Sequence, residues 1–320
     1  MAKSHLSYDL CRSAHLGALE NERTAKAYKR NIKLFGRWAK EQGLRDACEV
    51  TLEVVQRYED DLERDGLSPS SIHSRLAPVC RAIDIGMGDI SKPKRGAATI
   101  TRSRGDEEVN PQGKRELENK KYERLVDFQR AVGIRRRELS RLTGDCFMLD
   151  ESNYPCVHVK RGKGGKEQLQ RIAKKDVELV KDYFKGLGPD DKVFSEEELK
   201  NHIDLHGIRA SHAREREQFY EEKLKTPEAR KRMREELMAR WDRFHSPDKL
   251  KGGQEAYDRM RADFKKTIED DRPYRLRGEN RARAESLGRP TEYDRLALMA
   301  VSVFHLSHWR LSVTAVNYLV

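Results

Sequence analysis

Apolar residues near the start of the chain recur at the three- and four-residue spacing of helices. One apolar stripe runs through residues 21–42, and a second begins at Thr51, a suitable N-cap. A third begins at Ser68 and Pro69, where a capping residue precedes a proline in the first turn. Pro78 lies inside this third pattern and predicts a kink or a break. The stripes are formed by Tyr28, Ile32, Phe35, Trp38, Val54, Val55, Tyr58, Leu62, Ile72, Leu76, Val79 and Ile83. Residues 1–90 are therefore predicted to form a helical domain.

This periodicity ends after Gly86, and residues 91–113 have the composition of a basic linker that is rich in glycine and serine. Residues 114–320 are predicted to form a second domain. Within it, residues at about 214–285 are charged and helix-forming, with only sparse apolar anchors. This segment resembles an insertion, which is either an arm that contacts DNA or another subunit, or a solvated helical excursion.

The remainder of the second domain mixes helix and strand patterns. A helix is predicted near Lys114, and another over 176–184. Between them, residues 155–160 and 167–172 are strand candidates joined by a glycine-rich turn. The chain is therefore predicted to be mainly α, with a small antiparallel β-sheet.

The charge balance favours a polyanionic partner. The chain of 320 residues carries a net charge of +11, and 37% of its residues are charged. Lysines and arginines that neutralise phosphates release condensed counterions, which favours nucleic-acid binding, although a basic protein with a solvated surface would show the same balance. Basic residues lie between the apolar stripes of the first domain, namely Lys26, Lys29, Arg30, Lys33, Arg37, His73 and Arg75.

Other compositional features exclude several classes of protein. No apolar run is long enough for a transmembrane helix, and the N-terminus lacks the apolar core of a secretory signal. The five cysteines are scattered without a C-x-x-C pair, which indicates an intracellular, reducing environment. We expect His202 and His212 at the surface, and we expect no metal site and no cofactor.

Four short motifs carry the candidate chemistry. They are GIRRREL at 133–139, GKGGK at 162–166, HGIR at 206–209 and SHWRLSVTAVNY at 307–318. A tyrosine can attack a phosphodiester, but its phenol is weakly nucleophilic at a free pKa of about 10, so a base or nearby cations must assist it. Arginines donate paired hydrogen bonds to the phosphate oxygens that gain charge in the transition state. A lysine can protonate the leaving 5′ oxygen.

These motifs provide a candidate for each role. Tyr318 is the candidate nucleophile, with the site residues Arg135, Lys163, His206, Arg209 and His308. His206 and Arg209 are three residues apart and share a face if they lie on a helix. Lys163 lies on a tight glycine-rich turn. Glu138 is expected to orient arginines through an ion pair, and Arg136 and Arg137 to face solvent or the DNA backbone.

In this order and spacing, the motifs resemble the catalytic boxes of the tyrosine recombinase (phage integrase) family. The resemblance assigns Arg135 to the first catalytic arginine, Lys163 to the β-hairpin lysine, and His206 with Arg209 to the histidine-x-x-arginine box. His308 corresponds to the histidine before the nucleophile, Tyr318. The N-terminal helices resemble the core-binding domain, which forms a clamp around DNA together with the catalytic domain.

This resemblance implies a site-specific recombinase or integrase that cuts and rejoins double-stranded DNA through a 3′-phosphotyrosyl intermediate. It implies that the reaction requires neither metal nor ATP. It also implies a tetramer in the synaptic complex, and integration or excision of a mobile element. It further implies a cytoplasmic, nucleoid-associated protein of bacterial or mobile-element origin. The target sequence, the preferred direction and accessory factors are not encoded in these motifs.

The chain departs from the common family pattern in three ways. Arg209 and His308 are 99 positions apart, where a short helical span is expected. His308 and Tyr318 are ten positions apart, one more than the commonest spacing. Few residues follow Tyr318, so an exchanged C-terminal helix is expected to be absent or replaced.

Two other functions remain open. One is strand nicking and closing of the type IB topoisomerase kind, which uses the same chemistry. The other is a catalytically inactive DNA-binding accessory factor.

Overall fold

The computed structural model describes residues 6–19, 21–96 and 110–320. The chain divides into two compact units, Met1–Thr101 and Arg102–Val320. Most of the predicted basic linker, 97–109, lies outside the described residues, and 91–96 contains no helix or strand.

The first unit is helical. Its helices are α1 (Leu6–Ser13), α2 (Glu22–Glu41), α3 (Leu52–Arg64) and α4 (Pro69–Ala82), of which α1 was not predicted. The predicted caps are present at α4, where Ser68 accepts a hydrogen bond from the Ser71 N–H. Apolar stripes of the four helices meet in one core that includes Ile32, Phe35 and Leu76.

The predicted break at Pro78 does not occur, because α4 continues through this residue to Ala82. A proline in a helix leaves the carbonyl four residues earlier without its usual donor. Here that carbonyl belongs to Ser74, and the buried Asn31 side chain of α2 donates to it at 2.7 Å. A tertiary hydrogen bond therefore replaces the one that the proline removes.

The second unit begins with two helices where one was predicted. They are α5 (Pro111–Leu117) and α6 (Glu123–Val132), separated by a 3-10 turn at Lys120–Tyr122. The short helices α7 (Arg136–Leu139), α8 (Val177–Asp182) and α9 (Glu196–Leu199) follow in chain order, with the sheet between α7 and α8.

The small antiparallel sheet has three strands, one more than the predicted hairpin. Its order is β1 (Phe147–Leu149), β2 (Pro155–Val159) and β3 (Gln168–Arg171), and β1 was missed. Cys156 pairs with Arg171, and Val159 with Gln168, so the glycine-rich turn closes the β2–β3 hairpin beyond the Val159–Gln168 pair.

Helices form the remainder of the unit: α10 (Leu205–Lys223), α11 (Pro227–Phe244), α12 (Gly253–Glu269), α13 (Gly278–Ser286), α14 (Arg295–Phe304) and α15 (Leu311–Thr314). Two-residue strands, β4 (Tyr274–Arg275) and β5 (Glu292–Tyr293), pair with each other, and a π-helical turn at Ala315–Leu319 follows α15. No helix in the described ranges is both long and apolar enough to cross a bilayer.

The segment 214–285 is not a solvated excursion. Its first residues complete α10, and Leu237, Trp241 and Phe264 belong to the same buried core as Tyr318. Ion pairs also fix α11 to the sheet, because buried Asp150 binds Arg171 of β3 at 2.6 Å and also binds Arg240 of α11. The charged helices are therefore integral to the second unit.

Candidate active site

The six predicted site residues come from five parts of the second unit. Arg135 precedes α7, Lys163 is in the turn between β2 and β3, and His206 and Arg209 are in α10. His308 lies between α14 and α15, and Tyr318 lies in the π-helical turn.

The candidate nucleophile contacts an imidazole. Tyr318 Oη lies 2.9 Å from His308 Nε2, and Arg135 Nη2 lies 3.3 Å from the same nitrogen. A guanidinium can only donate, so Nε2 is an acceptor in its contact with Arg135. The phenol that shares this nitrogen is then a donor as well. This geometry places His308 Nε2 in position to accept the phenolic proton once Arg135 releases it.

Arg209 lies behind the tyrosine ring and is fully buried. Its Nη2 donates to the Leu306 carbonyl at 2.8 Å, and its Nη1 donates to the Gly133 carbonyl. Its guanidinium carbon is 5.5 Å from the centre of the Tyr318 ring. Burial lowers the pKa of Arg209, while the neighbouring Tyr318 phenol acts in the opposite direction. Arginine remains protonated despite such shifts, so the site keeps a buried cation beside the phenol.

Glu138 orients Arg135, as the sequence indicated. Glu138 Oε1 binds Arg135 Nη1 at 2.7 Å, and its Oε2 accepts from the Arg135 backbone N–H at 3.1 Å. Burial alone would raise the pKa of Glu138, but the charges of Arg135 and Arg209 lower it below the ordinary value. Gln168 of β3 bridges this pair, accepting from Arg135 at 3.2 Å and donating to Glu138 at 3.0 Å. No sequence motif pointed to Gln168.

Lys163 is the least integrated of the six residues. Its side chain is exposed, whereas its backbone N–H donates to Glu138 Oε1 at 3.2 Å. A Cβ at Gly162 would lie 1.7 Å from Gln168 Nε2 and 2.9 Å from the Lys166 carbonyl, so a larger residue would displace Gln168 from the site. Gly164 and Gly165 both have positive φ, which L-residues rarely adopt. The turn is thus attached to the site through its backbone and presents its cation to solvent.

His206 completes the arrangement from α10. Its ring centre lies 5.4 Å from that of Tyr318, and the ring of His308 lies at the same centre-to-centre distance. The structure therefore brings Arg135, His206, Arg209, His308 and Tyr318 together, and leaves the Lys163 side chain at the edge.

Two sequence-based expectations about neighbouring residues are wrong. Arg136 does not face solvent, because its guanidinium donates to the Leu199 carbonyl at 3.2 Å and to Asn201 Oδ1 at 2.9 Å. His212 is buried rather than exposed, and its Nε2 lies 3.2 Å from His305 Nδ1. His305 Nε2 lies 3.1 Å from the Tyr220 hydroxyl. Both histidines are thus structural members of a buried chain, while His202 is exposed.

The buried histidine pair predicts a loss of stability in mild acid. Burial lowers the pKa of His212 to about 4. The unfolded chain titrates near 6.5, so it binds protons that the folded state excludes. We expect the free energy of unfolding to fall as the pH decreases from about 6.5 to about 4, by about 3 kcal/mol for His212. Urea unfolding at a series of pH values measures this slope.

The matched variants for this measurement are His212→Gln and His202→Asn. The first should flatten the decrease in stability between about pH 6.5 and 4, because it removes the group that protonates only on unfolding. The second changes an exposed histidine whose pair with Glu116 at 3.1 Å contributes at most about 1 kcal/mol, so it should nearly keep the wild-type slope. An unchanged slope in His212→Gln would contradict the prediction.

Comparison with known proteins adds a family assignment for the first unit. Residues 17–81, which include α2, α3 and most of α4, match the model of the phage integrase N-terminal SAM-like domain. This match assigns residues 17–81 to a phage integrase domain, and the motifs of the second unit resemble the same family.

The comparison with individual proteins is less specific. Among solved structures 14 chains match. One is described as the crystal structure of XerA recombinase, with 18% sequence identity, a TM-score of 0.24, and coverage of 66% of this chain and 84% of that chain. No curated protein matches the chain.

Proposed function

We propose that the protein is a site-specific DNA recombinase in which Tyr318 forms a 3′-phosphotyrosyl intermediate. The observation that carries this proposal is the hydrogen bond of 2.9 Å between Tyr318 Oη and His308 Nε2, beside two arginines. An ordinary core tyrosine needs one hydrogen-bond partner, whereas this one lies among the cations that phosphoryl transfer requires.

In the proposed reaction, Tyr318 Oη attacks the scissile phosphorus and the phenolic proton moves to His308 Nε2. Arg135 gives up its hydrogen bond to His308 and donates to a phosphate oxygen instead. Arg209 redirects one guanidinium N–H from a carbonyl to the same phosphate. The bond from phosphorus to the 5′ oxygen breaks, and Lys163 gives that oxygen a proton. A 5′ hydroxyl then attacks the phosphotyrosyl bond in reverse, which restores the phosphodiester and the phenol. Since the bond to Tyr318 replaces the broken bond, rejoining requires no nucleotide.

The reacting groups must become accessible before DNA can reach them. Tyr318 is 2% exposed and Arg209 is 0% exposed, so neither reaches solvent in this arrangement. Two of the five N–H groups of Arg209 donate to the Leu306 and Gly133 carbonyls, which hold the guanidinium in place. We propose that DNA binding displaces the C-terminal segment far enough for a phosphate oxygen to reach Arg209.

The partners follow from the family and from charge. We propose double-stranded DNA as the substrate, contacted by both units in the manner of a clamp, and a tetramer in the synaptic complex. Lys29, Lys33 and Arg37 are exposed and lie at four-residue spacing on one side of α2, away from its buried residues. Integration or excision of a mobile element on the nucleoid is the proposed biological role.

Covalent capture tests the proposed function. Nicked duplexes that lose the short 5′-hydroxyl strand after cleavage trap the phosphotyrosyl enzyme, and peptide mass spectrometry identifies the modified residue. We expect nucleotides attached to the peptide that contains Tyr318, at one site within an inverted repeat. Adducts at scattered sites would instead indicate topoisomerase-like nicking and closing. DNA binding with no adduct would indicate an accessory factor and overturn the proposal.

DNA affinity should decrease steeply with salt. Six or more phosphate contacts would reduce the association constant by a factor of about 1,000 or more between about 50 and 200 mM salt. Lys33→Ala and Arg37→Ala should each reduce the salt slope by about one unit if α2 contacts the DNA backbone. Lys185→Ala removes an exposed lysine from a surface that we do not assign to DNA and serves as the control. Nearly constant wild-type affinity would contradict the clamp.

A further inference from the structure

Helices α11 and α12 have no role in the proposed reaction, yet their junction surrounds the residue that follows His308. The ring of Trp309 lies 5.3 Å from that of His245, 5.7 Å from that of Phe264 and 6.3 Å from that of Phe244, in edge-to-face arrangements. We refer to Phe244, His245 and Phe264 as the aromatic clasp. His245 is itself stacked on buried Trp241, with ring centres 4.3 Å apart.

The backbone around His308 needs such support. Ser307 and Trp309, the residues on either side, have φ values of 52° and 59°. Left-handed backbone is unfavourable for residues with a Cβ, above all for bulky ones, and persists where surrounding contacts impose it. Ser302 of α14 provides part of this support, because its carbonyl accepts the His308 N–H at 2.9 Å and its hydroxyl accepts the Arg310 N–H at 3.0 Å.

These contacts also fix where the imidazole points. Arg209 binds the Leu306 carbonyl, and Ser302 binds the main chain of residues 308 and 310. Neither contact fixes the conformation of the loop at position 309. The aromatic clasp holds the loop at this position, through the Trp309 ring. A change of backbone at 309 would rotate the adjacent peptide and move His308 Nε2 away from the Tyr318 hydroxyl.

We propose that Trp309 is a positioning residue for the proposed cleavage reaction, and that the aromatic clasp of α11 and α12 holds it. The clasp keeps the strained loop in the form that aims His308 at Tyr318. This inference rests on the proposed function, and it gives the predicted insertion a defined task. Trp309 touches no reacting atom and acts through His308.

The first test compares single-turnover adduct formation at saturating nicked DNA. We expect Trp309→Ala to slow the reaction about 10- to 100-fold with DNA affinity within about twofold of wild type, as for an interaction realised in the transition state. Trp309→Phe keeps an aromatic ring for the clasp and should restore most of the rate. Phe264→Ala removes one ring of the clasp and leaves the sequence of the loop unchanged. If Trp309→Ala fails to fold, this variant should reproduce the slow reaction. Met260→Ala, an exposed change on the same helix, should retain the wild-type rate.

A double-mutant comparison separates positioning from general loss of structure. If Trp309 acts through His308, Trp309→Ala should have little further effect in a protein that already carries His308→Ala. A structural defect would instead slow both backgrounds by the same factor. That additive result, or a wild-type rate in Trp309→Ala, would overturn the proposal.

A measurement in the free protein keeps this inference separate from the proposed function. Tyr318→Phe should shift the imidazole NMR signals of His308 in the wild-type background, because it removes the hydrogen bond of 2.9 Å. In the Trp309→Ala background, the same change should leave those signals almost unchanged. A shift of equal size in both backgrounds would overturn the positioning role. Failure to form any adduct with DNA would overturn the proposed function while this comparison still decides on Trp309.

Discussion

Tyr318→Phe is expected to abolish the covalent protein–DNA adduct and leave DNA affinity within about twofold of wild type. The change removes the oxygen that would bond to phosphorus, so no partial activity through that residue remains. Structurally it removes the hydrogen bond to His308, which contributes about 1 kcal/mol of stability. Denaturing gels with labelled nicked DNA measure the adduct, and equilibrium binding at fixed salt measures affinity.

Tyr293→Phe is the matched control for that experiment. Tyr293 is also buried in the same core, at 4% exposure, and burial raises the pKa of its phenol to about 12. Its loss should leave adduct formation unchanged. A full yield of adduct from Tyr318→Phe would remove Tyr318 from the role of nucleophile. Loss of adduct in both variants would point to a general effect on the core.

Arg209→Lys is expected to reduce the single-turnover rate of adduct formation by a factor of about 100 to 1,000, the range for loss of one preorganised charge-stabilising donor. Lysine keeps the positive charge but lacks the planar pair of donors that a phosphate oxygen and the Leu306 carbonyl require. One of the two carbonyls now bound by Arg209 would lose its partner, at a cost of about 1–3 kcal/mol in stability. Rapid-quench kinetics and urea unfolding measure the two effects separately.

Arg216→Lys provides the comparison for position and burial. Arg216 is also buried, at 6% exposure, and lies two turns further along α10, where it pairs with Glu215. The change should reduce stability without a selective loss of the chemical step. If Arg209→Lys forms the adduct at the wild-type rate, Arg209 is not part of the reacting centre.

The helices and the sheet could be predicted where a local pattern determines them. The Ser68 cap, the stripe through Ile32 and Phe35, and the β2–β3 hairpin each follow from spacing within a few residues. The break at Pro78 was wrong because the compensating donor, Asn31, lies 43 positions before Ser74, whose carbonyl it binds. No local pattern contains that information.

The same distinction applies to the site. Motifs name Arg135, Arg209, His308 and Tyr318, but they do not indicate that the Leu306 carbonyl accepts from both arginines, at 2.8 Å from Arg209 and 3.4 Å from Arg135. A main-chain oxygen carries no residue-type signal. His212 was expected at the surface for a related reason: its partner His305 lies 93 positions away, and only the fold brings the two rings together.

The π-helical turn that carries Tyr318 bears on how relatives of this chain can be recognised. Within it the Val320 N–H donates to the Ala315 carbonyl at 3.1 Å, five positions back, whereas an α-helical bond spans four. Such a widened turn accommodates one additional residue while the flanking segments keep their places. A change in local helical pitch can therefore absorb a one-residue insertion upstream of the nucleophile, and the phenol still meets its imidazole. An alignment that insists on a fixed count between those two residues would reject homologues whose chemistry is intact.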